Sequence, residues 1–297
     1  MIQEKFVDFF AHASRLRDKM IAEREVILTY VLQLLSESGL LKTLAFKGGT
    51  CIRKVYLGVS GRFSMDLDFT ALERREPDDF ILEMMELLNC EFHRITFRLD
   101  EKWRITEGSS FTVTPEYSHA WNPNGGFDLQ VRMDEQPILP ARSMPQIEQQ
   151  YYNQLEFQPD SIPCLDLHEV IAEKIRAAYQ RAHVRDLFDL YLFQRKPFNR
   201  DLVRALVVLK LWQVRDPFEY ERFVDKLRNG NYDWPDLFRL VASDFRVDDY
   251  TVLQGCIEGY SFLRNLSPEE NQVAKDSKTH RRQTERDALA RWCKRKL

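Results

Sequence analysis

The amino-acid sequence predicts an α+β protein with a mixed α/β part followed by an α-helical part. Up to Pro163, short apolar segments with strand-like alternation are interspersed with helical patterns. From Leu167 onward the pattern is almost wholly helical, with breaks near Pro197, Pro217, Pro235 and Pro268. We therefore expect one domain over residues 1–163 and an α-helical domain over residues 164–297.

The first part shows a clear order of predicted elements. Residues 23–38 carry an apolar helical face, and residues 44–46 form a short apolar strand in front of a glycine pair. Residues 66–70 fit a second strand, and a helix over residues 77–88 begins with proline and acids in its first turn. Further strands are predicted over residues 92–99, 103–106, 111–117 and 127–133, with a turn at residues 122–126.

Composition excludes several classes of protein. No run of about 18 apolar residues predicts a membrane span, and the first residues lack the apolar segment of a signal peptide. The net charge of −3 argues against a wholly basic nucleic-acid binder. The five cysteines are widely spaced, which favours reduced thiols in a cytoplasmic protein over a zinc site or a disulfide framework.

A glycine pair and two aspartates form the most informative pattern. Gly48 and Gly49 follow the first strand, and glycine backbone can approach phosphates closely. Asp66 and Asp68 alternate on the second strand, so they share a face roughly 7 Å apart. Neighbouring carboxylates suit Mg²⁺, which also binds substrate phosphates. Taken alone, the glycines fit an ordinary strand-to-helix turn and the aspartates a solvated strand face or a pair of caps. Their order together predicts a phosphate-and-metal site.

The same residues resemble a known family. The pattern Lys-Gly-Gly-Thr over residues 47–50, followed by Arg-x-Ser-x-Asp-Leu-Asp-Phe over residues 62–69, is similar to the AbiEii/AbiGii nucleotidyltransferase toxins, which include the mycobacterial MenT toxins. A second block agrees, with residues 167–177 and then Arg-Asp-Leu-Phe-Asp-Leu from Arg185. The resemblance covers about residues 25–195 and implies a DNA polymerase β-like core, a mixed sheet with flanking helices.

One departure concerns the phosphate contacts. The wider superfamily usually has Gly-Ser before the acids at a shorter spacing, whereas this chain has Gly49-Thr50 and a longer gap. Ser64 is therefore a candidate for part of the missing serine's role. The resemblance implies nucleotide contacts from Gly48, Gly49, Thr50, Arg62, Ser64 and Lys174.

The third carboxylate of such a site is expected on a neighbouring strand. Asp128 is the candidate, because the strand over residues 127–133 places it on the polar face. The alternative for Asp128 is a surface residue on an edge strand, and Asp134 and Glu135 are weaker candidates. The resemblance implies that Asp66, Asp68 and Asp128 hold two Mg²⁺ ions, with Mn²⁺ as a possible substitute.

Lys174 lies within an apolar helical stripe, where an unpaired charge is costly. It is either a snorkelling lysine or a cation that neutralises charge on the leaving pyrophosphate. The resemblance favours the second role and implies that Asp186 also belongs to the site, by pairing with Lys174 or Arg62 or by acting near the acceptor hydroxyl. Arg62 is expected to bind phosphate or to anchor its loop through a carboxylate. Arg185 and Asp189, one helical turn apart, suit local helix support.

The expected reaction transfers NMP from an NTP to a hydroxyl. The resemblance implies an RNA acceptor, the 3′ end of tRNA, and the basic residues at 280–286 and 291–297 are compatible with RNA contact, or with a solvated, frayed helix. Trp121 and Tyr117 would stack on a base or, preferably, pack in the core. A protein-modifying nucleotidyltransferase, which attaches AMP to a hydroxyl, and an inactive binding module are the alternatives.

The resemblance also implies a genetic setting. Such toxins accompany an antitoxin encoded nearby, in toxin–antitoxin or phage-defence operons. Some antitoxins are kinases that phosphorylate a serine beside the metal-binding acids, and Ser64 occupies that position.

Overall fold

The computed structural model describes residues 2–74, 76–99, 104–106 and 110–297, with side chains omitted at 77 and 104–106. These residues form two compact units. The first contains the described residues up to Pro137, with Ala141–Leu165 and Phe238–Asp244. The second contains Ile138–Pro140, Asp166–Leu237 and Phe245–Leu297.

A mixed sheet forms the centre of the first unit. Within the described residues its order is β10-β11-β1-β2-β9-β6-β5, and β2 runs antiparallel to β1 and parallel to β9. The strands are β1 (Leu44–Lys47), β2 (Asp66–Ala71), β5 (Arg104–Thr106), β6 (Ser110–Val113), β9 (Asp128–Arg132), β10 (Arg142–Met144) and β11 (Ile162–Cys164). A second sheet has the order β3-β4-β7-β8, with β3 (Glu91–Phe92), β4 (Ile95–Arg98), β7 (Glu116–His119) and β8 (Asn122–Gly126).

The helices of the first unit are α1 (Glu4–Ala13), α2 (Lys19–Glu37), α3 (Gly48–Cys51) and α4 (Pro77–Leu87). Helix α2 is buried along most of its length, which makes it a core helix rather than a surface helix. Helix α3 continues directly into a π-helical segment, Ile52–Leu57. Within the sheet, Phe46 of β1 packs on Phe69 of β2, with ring centroids 5.2 Å apart.

The second unit is helical throughout its described length apart from turns. Its helices are α5 (Leu167–Gln180), α6 (Val184–Phe193), α7 (Arg200–Gln213), α8 (Tyr220–Asn229), α9 (Trp234–Arg239, which runs into the segment counted with the first unit), α10 (Asp249–Gly259), α11 (Pro268–Asp276) and α12 (Gln283–Arg295). Side-chain caps define several starts: Asp166 caps α5, Asn199 caps α7 and Ser267 forms a capping box with Glu270 on α11. No helix in the described ranges is long and apolar enough to cross a membrane.

The predicted α+β class is confirmed, and so are the main elements around the glycine pair. The predicted turn at Asn122–Gly126 is wrong, because this segment is strand β8. Gly125 lies against the ring of Tyr117, and a Cβ atom built on it would be 2.1 Å from that ring. The glycine therefore makes room for an aromatic side chain on the neighbouring strand rather than forming a turn.

Other strands differ in their limits. The predicted strand 92–99 is a short hairpin of β3 and β4, and the predicted strand 111–117 is divided between β6 and β7, which belong to different sheets. The strand 103–106 corresponds to β5, although residue 103 lies outside the described residues. Helix α1 and strands β10 and β11 were not predicted, the strands because three-residue pairings leave little alternation to detect.

Candidate active site

The glycine pair begins α3 directly after β1 and lies against polar side chains that come later in the sequence. Gly48 has a φ of +74°, and a Cβ atom on it would be 2.0 Å from Asp68 Oδ2. A Cβ atom on Gly49 would be 2.5 Å from Ser64 Oγ and 2.7 Å from Arg62 Nη2. Both glycines are therefore required by the close approach of these groups, and Gly48 also by its backbone conformation.

Strand β2 presents two half-buried carboxylates beside buried apolar residues. Asp66 and Asp68 alternate with Leu67 and Phe69, whose side chains are fully buried. Asp66 Oδ1 accepts a hydrogen bond of 2.7 Å from Ser64 Oγ. The Asp66 backbone oxygen accepts one of 2.5 Å from Thr50 Oγ1, which ties the start of α3 to β2. The alternation expected from the sequence is thus present.

Asp128 lies opposite Asp66 in the parallel pairing of β2 with β9. Strand β9 lies between β2 and β6, so the alternative of an edge strand is wrong. The Asp128 side chain is exposed, and its Oδ1 accepts a 2.7 Å hydrogen bond from Thr114 Oγ1. Residues paired in register on neighbouring strands share a face, so Asp66 and Asp128 point to the same side of the sheet.

These two carboxylates lack a compensating cation. Within the described part of the chain, no lysine, arginine or histidine lies within ion-pair distance of Asp66 or Asp128. The weaker candidates differ, because Asp134 and Glu135 lie 4.0 and 3.8 Å from the guanidinium of Arg132. Uncompensated carboxylates on one face attract a cation from solution.

The donor set fits a hard divalent cation that is completed by other oxygens. No group of three or more acidic, histidine or cysteine side chains among the described residues is close enough to hold a metal alone. Mg²⁺ is usually bound by one or two carboxylates, with water and substrate phosphate as its remaining ligands. One or two of the carboxylates of Asp66, Asp68 and Asp128 per ion would fit that mode of binding.

Arg62 and Ser64 are buried beneath the glycine pair. Arg62 is 4% exposed, and its Nη1 donates to the backbone oxygen of Phe63 at 3.2 Å. Ser64 is 2% exposed and donates to Asp66. Arg62 thus supports the backbone at Phe63, and Ser64 orients the Asp66 carboxylate.

Arg53 and Lys54, to which the sequence assigned no role, fix the helical segment after the glycine pair and the loop between that segment and β2. The buried Arg53 donates to the Gly61 backbone oxygen at 2.6 Å, and its guanidinium lies 3.5 Å from the centre of the Phe63 ring. The fully buried Lys54 donates to Glu25 Oε1 on α2 at 2.9 Å. Burial alone would raise the pKa of Glu25, but the charges of Lys54 and Arg53 hold it below its usual value. Two consecutive charges inside an apolar helical segment were the available signal.

Lys174 of α5 is held by two aspartates of α6 in the second unit. Its Nζ lies 2.9 Å from Asp186 Oδ1 and 2.9 Å from Asp189 Oδ2, and its side chain is only 12% exposed. Arg181 Nε also donates to Asp186 Oδ2 at 2.9 Å. The predicted pairing of Asp186 with Lys174 is therefore present, and the lysine is not a solvated, snorkelling side chain.

The charge balance of this cluster differs from that on β2. Burial would raise the pKa of Asp186, but the charges of Lys174 and Arg181 and their hydrogen bonds hold it well below its usual range. Arg185 was expected to support its own helix through Asp189. Instead its Nε and Nη2 donate to the two carboxylate oxygens of Asp236 at 2.7 and 2.8 Å, a bidentate ion pair. The carboxylates of α6 are thus neutralised by the protein itself.

The predicted site residues fall into two groups. The first unit assembles Gly48, Gly49, Thr50, Arg62, Ser64, Asp66, Asp68 and Asp128 around the start of α3 and the face of β2. The second unit assembles Lys174 and Asp186, together with Asp189. Tyr117 is fully buried, as preferred from the sequence, and its hydroxyl donates to Glu23 at 2.7 Å.

The family model described as "Nucleotidyl transferase AbiEii toxin, Type IV TA system" matches residues 30–253, which is most of the chain and includes both groups. The chain belongs to this family. It is therefore a toxin-type nucleotidyltransferase of a type IV toxin–antitoxin system, and the resemblance noted from the sequence is confirmed. Membership of such a system implies an antitoxin partner.

The fold is also found among solved structures. MenT4, a nucleotidyltransferase toxin of Mycobacterium tuberculosis H37Rv, matches with a TM-score of 0.82 and 24% sequence identity. The match covers 98% of this chain and 99% of the MenT4 chain. At this identity the likeness establishes a shared fold, the nucleotidyltransferase fold expected from the sequence. No curated protein matches the sequence.

Proposed function

We propose that this AbiEii-family protein transfers NMP from an NTP to an RNA acceptor, the 3′ end of tRNA. The observation that carries the proposal is the pair of uncompensated carboxylates, Asp66 and Asp128, in register on neighbouring strands beside a glycine pair. Charge of this kind on one face favours a bound cation together with a polyphosphate. The reaction joins the acceptor oxygen to the α-phosphorus and releases pyrophosphate.

We propose that Asp66, Asp68 and Asp128 hold Mg²⁺, as two ions. The metal would supply a lower pKa for the acceptor hydroxyl and charge compensation for the triphosphate. The chain itself contributes positioning. Ser64 orients Asp66, and Gly48 leaves space for the Asp68 carboxylate. Thr50 fixes the start of β2 through the Asp66 backbone oxygen. Phosphoryl transfer needs little more than such positioning and charge stabilisation.

The remaining predicted site residues have roles that rest on the resemblance. The backbone of Gly48 and Gly49 would approach the phosphates, with Arg62 supporting that backbone from below. Lys174 would offset charge on the leaving pyrophosphate, and Asp186 would orient Lys174 through their ion pair.

The test is incorporation of label from each NTP in turn into total tRNA, with Mg²⁺ and purified protein. We expect label in tRNA with the wild type and none with Asp66→Ala. The matched control is Asp134→Ala, which removes a nearby acid that already contacts Arg132 and should leave incorporation near the wild-type level. Equal incorporation by wild type and Asp66→Ala would contradict the proposed site.

The same experiment separates the acceptor classes. Label that appears on a protein band and is absent from RNA would replace the RNA proposal with a protein-modifying activity. Because AMP attachment to a protein hydroxyl uses the same carboxylates, loss of that label in Asp66→Ala would leave the assignment of the site intact.

We also propose that Ser64 is the point at which a kinase antitoxin would act. Its Oγ is buried and donates to Asp66, so phosphorylation would require the loop to open and would then place negative charge beside the metal-binding carboxylates. Mass spectrometry after co-expression with the neighbouring gene product would detect the phosphate. An antitoxin that neutralises the toxin without modifying Ser64 would contradict this. We place the reaction in the cytoplasm, in toxin–antitoxin or phage-defence function, because NTP and tRNA are found there.

A further inference from the structure

The C-terminal segment that contains helix α12 concentrates positive charge in a chain that is acidic overall. Residues 272–297 contain nine lysines and arginines and three aspartates and glutamates, whereas the whole chain has a net charge of −3. The remainder of the chain is therefore clearly acidic. Such segregation of charge is typical of a local binding surface for an anionic partner.

This helix is packed rather than frayed. Leu289 and Cys293 of α12 are buried, on the face opposite its exposed stripe. At its start, Asp276 accepts hydrogen bonds from the backbone N–H groups of Arg281 and Arg282 at 3.0 and 2.8 Å and from Trp212 Nε1 at 3.2 Å. The exposed side of the helix is thus held in a fixed orientation before any partner binds.

The ring of His280 fixes the same junction from another direction. It stacks on Trp212 with centroids 3.7 Å apart, and its Nε2 lies 2.7 Å from the Trp212 backbone oxygen. The guanidinium of Arg286 lies 5.4 Å from the Trp212 ring centre. Part of the basic charge is therefore used for packing, and these residues do not belong to the exposed surface.

The exposed stripe of α12 consists of Thr284, Ala288, Arg291 and Arg295, with Lys294 beside it. Within the described chain, no acid lies within ion-pair distance of Arg291, Lys294 or Arg295. Arg291 and Arg295 are one helical turn apart, and like charges at this spacing slightly destabilise a helix. An anionic partner that bound both would relieve this repulsion.

We propose that Arg291, Lys294 and Arg295 of α12 form a docking surface for the phosphodiester backbone of RNA. The stripe has small side chains, Thr284 and Ala288, in place of the large apolar anchors on which protein interfaces depend. Binding to a line of phosphates requires exposed cations and small neighbouring side chains that allow close approach, and the exposed stripe of α12 has both. The proposal extends the proposed function by naming where its acceptor binds.

The test is RNA affinity measured without NTP, so that it does not depend on nucleotidyl transfer. The probe is a labelled RNA hairpin with a single-stranded 3′ end, titrated between about 50 and about 200 mM salt. The variant is Arg291→Gln/Lys294→Gln/Arg295→Gln. The matched control is Lys5→Gln/Arg17→Gln/Lys42→Gln, which removes the same charge from three exposed cations outside α12 that have no acid within ion-pair distance among the described residues.

We expect the α12 variant to bind about tenfold or more weakly at low salt and its salt slope to fall by about 2. The control should stay within about threefold of the wild type, since it changes only the overall charge. Arg291→Lys/Arg295→Lys should keep most of the affinity, because phosphate contacts need charge rather than a particular geometry. Thermal melting should be unchanged, because all three side chains are exposed.

Several other results would overturn the RNA docking surface or separate it from the proposed reaction. RNA binding by the α12 variant equal to that of the wild type overturns the proposal, as does equal weakening by the control. Binding of polyglutamate that depends on α12, without RNA binding, replaces RNA with an acidic protein. If RNA binds through α12 but no NTP label is ever transferred, the docking surface stands and the proposed reaction fails. If NTP label is transferred but the α12 variant binds RNA as tightly as the wild type, the proposed reaction stands and the docking surface fails.

Discussion

Asp66 of β2 and Asp128 of β9 have the same chemistry as the aspartates of α6 but opposite surroundings. Asp186 and Asp189 are buried and share the ammonium of Lys174, with Arg181 as a further partner. Asp66 and Asp128 face the same side of the sheet, with hydrogen bonds from hydroxyl groups and no compensating cation among the residues described. The protein thus neutralises one set of carboxylates itself and leaves the other for a cation from solution.

This difference separates stability from activity. Removing one partner of a buried ion pair is strongly destabilising, because the other partner is left as a buried charge without compensation. Asp66 and Asp128 accept hydrogen bonds from hydroxyl groups, have no cation within ion-pair distance among the described residues, and lie opposite each other as like charges, so they contribute little to stability. Substitution of Asp66 should therefore reduce transfer far more than stability, whereas substitutions that break the α6 ion pairs should reduce stability.

The largest expected effect is on catalysis at β2. Asp68→Asn keeps the shape of the side chain above Gly48 but removes its charge. We expect transfer to fall about a thousandfold or more, since a metal-binding carboxylate contributes several kcal/mol to the transition state. Labelled-NTP incorporation measures the loss, and a thermal melt serves as the check on folding. Near-normal transfer would place the metal-binding residues elsewhere.

The next effect is on stability in the second unit. Lys174→Met would leave Asp186 and Asp189 buried with reduced compensation, so we expect the free energy of unfolding to fall by about 3–5 kcal/mol. Urea denaturation followed by circular dichroism measures it. A loss below about 1 kcal/mol would show that these ion pairs are not structural and would remove the contrast.

A smaller effect is expected at the glycine pair. Gly48→Ala adds a Cβ atom 2.0 Å from Asp68 Oδ2 at a φ of +74°. Gly39→Ala is the matched control, because Gly39 has a φ of +82° but no atom within 4 Å of the added Cβ. Both variants should lose about 1–2 kcal/mol of stability from the backbone strain.

Only Gly48→Ala should also reduce transfer, by displacing the Asp68 carboxylate. The two assays together therefore separate strain from displacement. Equal transfer by the two alanine variants would mean that the position of Asp68 is not critical.

The smallest effect is a pH dependence of stability. The pKa of Asp186 is lower in the folded protein than in the unfolded chain, so its contribution is present above the unfolded value of about 4 and is lost as the pH falls below it. We expect the free energy of unfolding to decline more steeply from about pH 5 to about pH 3 in the wild type than in Asp186→Asn. Parallel curves would show that Asp186 does not contribute.

The sequence predicted the local pattern at β2 well, because alternation along a strand fixes which side chains share a face. The family resemblance offered pairing with Lys174 as one of three roles for Asp186, and that ion pair is present. The sequence could not predict that Asp189 shares the same ammonium, because helix spacing alone does not fix the partner. The role of Gly125 was missed because a glycine that accommodates the Tyr117 ring and a turn glycine are identical in sequence.

Long-range contacts account for the other gaps. The central position of β9 depends on a parallel pairing with β2, which no local signal around Asp128 reveals. The contacts of Arg53 and Lys54 depend on Glu25 and Gly61, and charges in an apolar segment show only that a partner must exist. The packed side of α12 was hidden by its basic composition, since the buried residues Leu289 and Cys293 are few.

The most direct test of the contrast measures transfer and unfolding together for Asp66→Asn and Asp189→Asn. We expect Asp66→Asn to lose transfer about a thousandfold while its free energy of unfolding stays within about 1 kcal/mol of the wild type. Asp189→Asn should lose about 2 kcal/mol or more of stability and retain transfer within about tenfold, when assayed well below its melting temperature. The reverse pattern, with stability lost at Asp66 and transfer lost at Asp189, would contradict the assignment of the reactive carboxylates to the sheet.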